Sequence, residues 1–194
     1  MKPTNILQSL SSARWQTAQR TYGSSHATLI GLLVDWWVNS SNAHTALDGP
    51  PSHGTGNVGQ GDALFCIDEV PAGILEVEGT RPNEKINSIA SYFATTRIEL
   101  QSISFGMLLM YSYAPTGSGE NRQYPAAEDP AVINAALRVT QNHPTKSIII
   151  LTLDKQFTRF STGARSLNEY YSGTTIRVTG MLLQNGSESR RIVY

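Results

Sequence analysis

Apolar and polar positions along this chain alternate between two periods, one helical and one extended. Residues 5–20 and 24–43 carry helical spacing. In the second segment Leu29, Leu32, Leu33, Trp36 and Trp37 form a broad apolar stripe, and Ser24 or Ser25 can cap it. DGPPSHGTGNVGQG, residues 48–61, breaks the pattern with glycines and paired prolines and reads as a loop. Short apolar runs at 62–67 and 72–78 read as strands around a DEVP turn. NEKINSIASYFA then returns to helical spacing, with Asn83 as its cap and Ile86, Ile89, Ala90 and Phe93 on one side. SISFGMLLMYSY (102–113) reads as a long buried strand, and 114–128 as a loop. Residues 130–141 read as a helix capped by Asp129, with Pro130 in its first turn. SIIILTL (147–153) is the strongest strand pattern, and the tail reads as a hairpin on Asn185-Gly186.

This order, helices first, then β-β-α-β-α-β and a terminal hairpin, predicts a single α/β domain with a central mixed sheet flanked by helices. Residues 1–47 form its helical N-terminal part, 62–155 its α/β core and 172–194 its C-terminal hairpin. A chain of 194 residues buries a full core without disulfides or a structural metal. Fifteen basic and fifteen acidic residues leave no formal net charge, which argues against a strongly basic nucleic-acid binder and leaves room for a local patch. The single cysteine, Cys66, excludes a disulfide framework and favours a reducing compartment. The first residues lack the pattern of a signal peptide, and no run approaches the ~20 apolar residues that span a bilayer. The expectation is a cytoplasmic protein without a membrane partner.

Several motifs come to little. GTGNVG (54–59) matches G-x-G-x-x-G, yet a helix precedes it and a strand follows, the reverse of the dinucleotide-binding context, so no nucleotide cofactor is expected. His26, His44, His53 and His143 have no short metal spacing, and one cysteine cannot build a zinc site. Asp35 interrupts the apolar helix face LLVDWWV at its edge.

The stretch DALFCIDEVPAGILEVEGT (62–80) is different, because an apolar hairpin carries carboxylates at even spacing. Ile74, Glu76 and Glu78 share one face of their strand, since side chains alternate. A five-residue loop places Asp62 opposite Glu76, and a three-residue loop places it opposite Glu78; two- or four-residue loops do neither. Three acids gathered on one face repel one another and are costly to desolvate, so a hard divalent cation is an economical compensation. On crowding alone, Glu76→Gln should raise the melting temperature in metal-free buffer. The alternative is an exposed hairpin whose charged face is simply hydrated.

The stretch resembles the PD-(D/E)xK nuclease superfamily, the fold of many restriction endonucleases and DNA repair nucleases. Asp62 matches its isolated aspartate, and EVE (Glu76, Val77, Glu78) matches the second half of its motif, with Glu78 where lysine is usual. Gly61 stands where the family has proline. The resemblance implies a restriction-endonuclease-like core and Mg²⁺-dependent hydrolysis of DNA, with Mn²⁺ able to substitute. Asp62, Glu76 and Glu78 are the implied metal ligands and catalytic acids, and Lys85 supplies the missing positive charge. Many members add an acid from the helix before the hairpin, for which Asp35 is the nearest match. Arg81, Lys155 and Arg159 are candidate phosphate contacts. A type II restriction-like enzyme acting as a homodimer is the leading expectation. A repair or junction-resolving nuclease and a non-catalytic α/β binding protein are the alternatives.

Overall fold

The computed structural model describes residues 2–16, 26–52, 60–112, 123–124, 126, 128–157 and 174–194. Helix α1 (Pro3–Ser9) runs into a 3-10 turn at Leu10–Ser12, and α2 spans His26–Asn39. Strands β1 (His44–Leu47), β2 (Ala63–Ile67) and β3 (Val70–Glu78) follow, then α3 (Pro82–Phe93) and β4 (Phe105–Met110). The chain ends with β5 (Gln123–Tyr124), α4 (Pro130–Asn142), β6 (Ser147–Phe157), β7 (Thr174–Gln184) and β8 (Ser187–Val193).

The strands build one mixed sheet in the order β1-β2-β3-β4-β6-β7-β8, with β5 paired to the outer part of β6. The neighbours β3, β4 and β6 are parallel, and every other pair is antiparallel. The crossovers β3-α3-β4 and β4-α4-β6 advance in one direction across the sheet, so both helices lie on the same face. There Ile86, Ile89, Tyr92 and Phe93 of α3 and Val132 and Ala136 of α4 cover Ile74, Leu108, Ile148 and Ile150. The opposite face is covered by α1 and α2, whose Leu7, Leu33, Trp36 and Trp37 pack on Phe65, Leu75, Phe105 and Leu151. Strands covered on both sides must be apolar at every position, and all six residues of β4 are buried.

The α2 stripe is buried at every position expected of it, Asp129 caps α4 through the Ala131 amide at 2.8 Å, and Asn185-Gly186 makes the last turn. Other boundaries differ. The N-terminal segment expected as one helix over 5–20 is helical from Pro3 and tightens at Leu10; residues 17–20 lie outside the described ones. Helix α2 stops at Asn39, and His44–Leu47 turn out as an edge strand in the part expected to be helical. His44 is buried there against the Trp37 ring, centroids 4.0 Å apart and nearly parallel. Helix α3 takes Arg81 as N-cap with Pro82 following, two residues ahead of the expected cap Asn83. The strand expected over 102–113 is confined to 105–110, because Ile98–Leu100 form a 3-10 turn and the chain bends until Ser104. Strand β6 runs four residues past its expected end, where β5 and β7 pair with it.

The hairpin turn is Asp68-Glu69, both in the left-handed region with φ of 49° and 65°, as a two-residue type I′ turn requires. Such a turn alone pairs Ile67 with Val70 and would set the acids on the wrong register. A bulge at Ala72 absorbs one residue, so that Phe65 meets Gly73 and Leu64 meets Ile74. Continuing that register past Ala63–Leu75 sets Asp62 against Glu76, the pairing expected of a five-residue loop.

Candidate active site

Glu76 lies at the centre of the candidate site, at the carboxyl end of β3 on the face covered by α3. Its side chain has no solvent exposure. A carboxylate so placed is strongly disfavoured unless donors compensate it. Two come from successive turns of α3: Lys85 Nζ donates to Oε2 at 2.8 Å and Ser88 Oγ to Oε1 at 2.5 Å. Positions 85 and 88 are three apart, hence on one helix face. Burial still holds the Glu76 carboxyl above the usual carboxylate range, although Lys85 and Ser88 draw it back. Desolvation pulls the Lys85 ammonium down, but Glu76 first, then Asp62 and Glu78, more than reverse this and leave it above the ordinary lysine value. Lys85 therefore stands in the field of all three acids, and its side chain remains about a quarter exposed.

Asp62 precedes β2, and its position is set by backbone contacts. Its amide donates to the Leu75 carbonyl at 2.9 Å, and its Oδ2 accepts from the Val77 amide at 2.6 Å. Oδ1 meets Nε2 of His26, the first residue of α2, at 3.3 Å. The helix before the hairpin thus does contribute to the site, but through His26. Asp35, the residue expected in that role, is exposed, bonded to Asn39, and nine residues further on, about 13 Å along the axis at the helical rise. His26 carries one sequence signal: it stands three and seven residues before Leu29 and Leu33, on the buried stripe.

Gly61 has two constraints that explain the absence of proline. Its amide donates to Tyr92 Oη at 2.8 Å, a bond proline cannot make. A Cβ there would also lie 2.5 Å from Ile74 Cδ1. Tyr92 donates in turn to the Pro50 carbonyl, so α3 clamps both ends of the 50–61 segment. Burial pushes the Tyr92 phenol up to about 12, and it stays protonated as a donor through neutral pH.

Glu78 does not join Glu76 and Asp62. Its Oε1 accepts from the Gly79 amide at 2.8 Å, the Thr80 amide at 2.7 Å and Thr80 Oγ1 at 3.1 Å, closing the turn into α3. Partial burial raises its carboxyl, and these donors outweigh that and hold it below the usual range. Arg81 is exposed and faces Glu84 at 3.6 Å. Lys155 is buried inside β6, where desolvation pulls its ammonium down to about 8, so it does not line an exposed phosphate track. Arg159 lies outside the described residues.

Among the described residues, no three His, Cys, Asp or Glu side chains are arranged to hold a metal. The expected three-carboxylate centre is therefore not assembled. The opposed pair Asp62 and Glu76 presents only oxygen atoms, and each of the four already meets a protein group: the Val77 amide and His26 at Asp62, Lys85 and Ser88 at Glu76. Beside Glu78 a cavity of about 460 Å³ opens at the carboxyl ends of β3 and β4, lined by Thr80, Met110, Tyr111, Glu128 and Asp129. The crevice outside the carboxyl ends of strands is where open α/β sheets take ligands. No helix among the described residues is long and apolar enough to cross a membrane. Comparison of the chain with protein-family models, with curated proteins and with solved structures found no match.

Proposed function

We propose that this chain hydrolyses DNA phosphodiester bonds as a Mg²⁺-dependent endonuclease, with Asp62, Glu76 and Lys85 as its active set. The observation that carries this reading is Lys85. Its ammonium, supplied by α3 instead of β3, lies 2.8 Å from Glu76 and is stabilised by Asp62 and Glu78 as well. One lysine set against an opposed Asp–Glu pair is the charge set that the resembled family uses.

Asp62 and Glu76 would hold Mg²⁺, and when bound there the cation lowers the pKa of a coordinated water and screens charge on the phosphate. The Val77 amide fixes Asp62, Ser88 fixes Glu76, and Lys85 hydrogen-bonds the attacking water or a non-bridging phosphate oxygen, where negative charge grows. Glu78 keeps the β3–α3 turn closed, so that the helix presents Lys85 at the right height. The cavity beside Glu78 gives the flanking nucleotide room. With no net charge, tight binding depends on metal and on a particular sequence or DNA shape, as in a type II restriction-like homodimer or a junction-resolving enzyme.

The test is incubation with Mg²⁺ or Mn²⁺ and duplex, branched and single-stranded DNA. At least one substrate should be cut, and Lys85→Met and Asp62→Asn should abolish cutting. Silence on all of them would leave the second reading, a non-catalytic α/β binding protein. That reading is favoured by one observation: protein donors already partner Glu76 on both oxygens, so the cluster is satisfied without any ligand.

A further inference from the structure

The cavity at the carboxyl ends of β3 and β4 has a lining of one chemical character. Met110 and Tyr111, both almost fully buried, form its apolar base, and Pro82 and Pro130, the first residues of α3 and α4, stand at its more exposed rim. Glu78, Glu128 and Asp129 line it, and no lysine, arginine or histidine is among its described lining residues. Each acid is held through one oxygen: Glu78 Oε1 by the Gly79 and Thr80 amides, Asp129 Oδ1 by the Ala131 amide, and Glu128 Oε1 by Arg191. Oε2 of Glu128 and Oδ2 of Asp129 take no hydrogen bond from the described residues. The cavity therefore presents fixed acceptors over an apolar base. A phosphate meets three like charges there and is repelled, whereas a neutral group with hydrogen-bond donors and apolar faces is accepted.

A volume of about 460 Å³ is that of a small-molecule site, enough for one base and too little for a paired double helix. Of the parts of a nucleotide, only the base combines flat apolar faces with neutral donors. Adenine, cytosine and guanine carry an exocyclic amino group that a carboxylate oxygen accepts from, whereas thymine offers carbonyl oxygens. We propose that the cavity receives a single unpaired base bearing an amino group, beside the bond being cut. The substrate class is then DNA with an unpaired adenine, cytosine or guanine at that point. This rests on the nuclease reading and narrows it. A base that is already unpaired enters at least cost, because no pair has to be opened. Arg81, exposed between the lining residues Thr80 and Pro82, is the cation at the rim that remains for that nucleotide's own phosphate.

The test is kcat/KM in Mg²⁺ for duplexes carrying one bulged adenine, cytosine, guanine or thymine, or one bulged abasic residue, beside the fully paired duplex. The three amino bases should be cut about tenfold or more better than the other substrates, the lower part of what one correct base contact discriminates. The cut should follow the bulge as it is moved along the duplex. In the double variant Glu128→Gln, Asp129→Asn, asparagine still caps α4, and the side-chain amides can donate to thymine. This variant should lose most of the discrimination against thymine. Thymine or an abasic residue cut as well as the amino bases overturns the proposal and leaves the nuclease reading standing. Preference for the paired duplex, or full discrimination kept by the double variant, does the same. If that variant does not fold, the thymine and abasic comparisons on the unmodified chain decide. Absence of cutting on every substrate overturns the nuclease reading, and the proposal with it.

Discussion

Removing Lys85 deprives Glu76 of its only cationic partner among the described residues and leaves a fully buried carboxylate with one neutral donor. Breaking a buried pair is costly because the remaining charge stays desolvated, and partial exposure of Lys85 moderates the loss. Lys85→Met should lower stability by about 2 kcal/mol, a drop in Tm of about 4–8 °C for a chain of this size. Glu76→Gln should also lower Tm, the reverse of what crowding of acids alone implies, because the crowd already contains its counter-charge. The double variant should be less destabilised than the sum of the singles, which thermal melts of all four proteins will read. Glu78 gives a pH signature. Its folded carboxyl sits below the ordinary value of 4.5, so its contribution is present above that value and is lost as pH falls through the folded one. Tm measured from pH 6 down to pH 2 should fall less steeply in Glu78→Gln; parallel profiles would mean the turn contacts contribute nothing.

At the scale of elements, α3 organises the site. Lys85, Ser88 and Tyr92, spaced three and four residues apart, form one stripe that touches Glu76 twice and then Gly61. The Tyr92 hydroxyl serves Gly61 as acceptor and Pro50 as donor, so Tyr92→Phe leaves a buried amide unpaired at about 1–3 kcal/mol. Amide hydrogen exchange should quicken at Gly61 and Asp62 in this variant, with β6 protection reduced only as far as global stability falls. Equal loss at β6 and at Gly61 would show that Tyr92 acts on the whole fold and not on the placement of Asp62.

For the whole molecule, the legible parts of the sequence are those where one residue pattern has one physical solution. Five large apolar side chains at helical spacing had to be buried, and α2 buries all of them. Apolar runs such as SIIILTL had to be covered on two faces, which demands helices above and below. The even spacing of the acids and the place of Lys85 on the next helix pointed to the same cluster. What the pattern could not disclose depends on contacts distant in sequence. The four residues of β1 are too few to display an alternation, and only Trp37 and β2 make them a strand. His26 acquires a role because α2 begins beside Asp62, thirty-six positions away in the chain. Glu78 shares its face with Glu76, yet nearby amides capture it, a competition that strand periodicity does not register.

The bulge at Ala72 has a consequence for chains of other lengths. With a two-residue turn, opposed positions of a plain hairpin are an odd number apart, whereas Asp62 and Glu76 are fourteen apart. The extra residue makes up the difference without disturbing the pairs on either side of it. A version lacking Ala72 would zip into a regular ladder and still set its first acid against its second. A single residue added to the regular part of β3, between Ile74 and Glu76, would instead send the carboxylate to the Trp37 side of the sheet. Length change is thus tolerated at one point of this hairpin and forbidden two residues later. A search pattern with one fixed gap between the two acids would miss the chains that build the same pairing without the bulge.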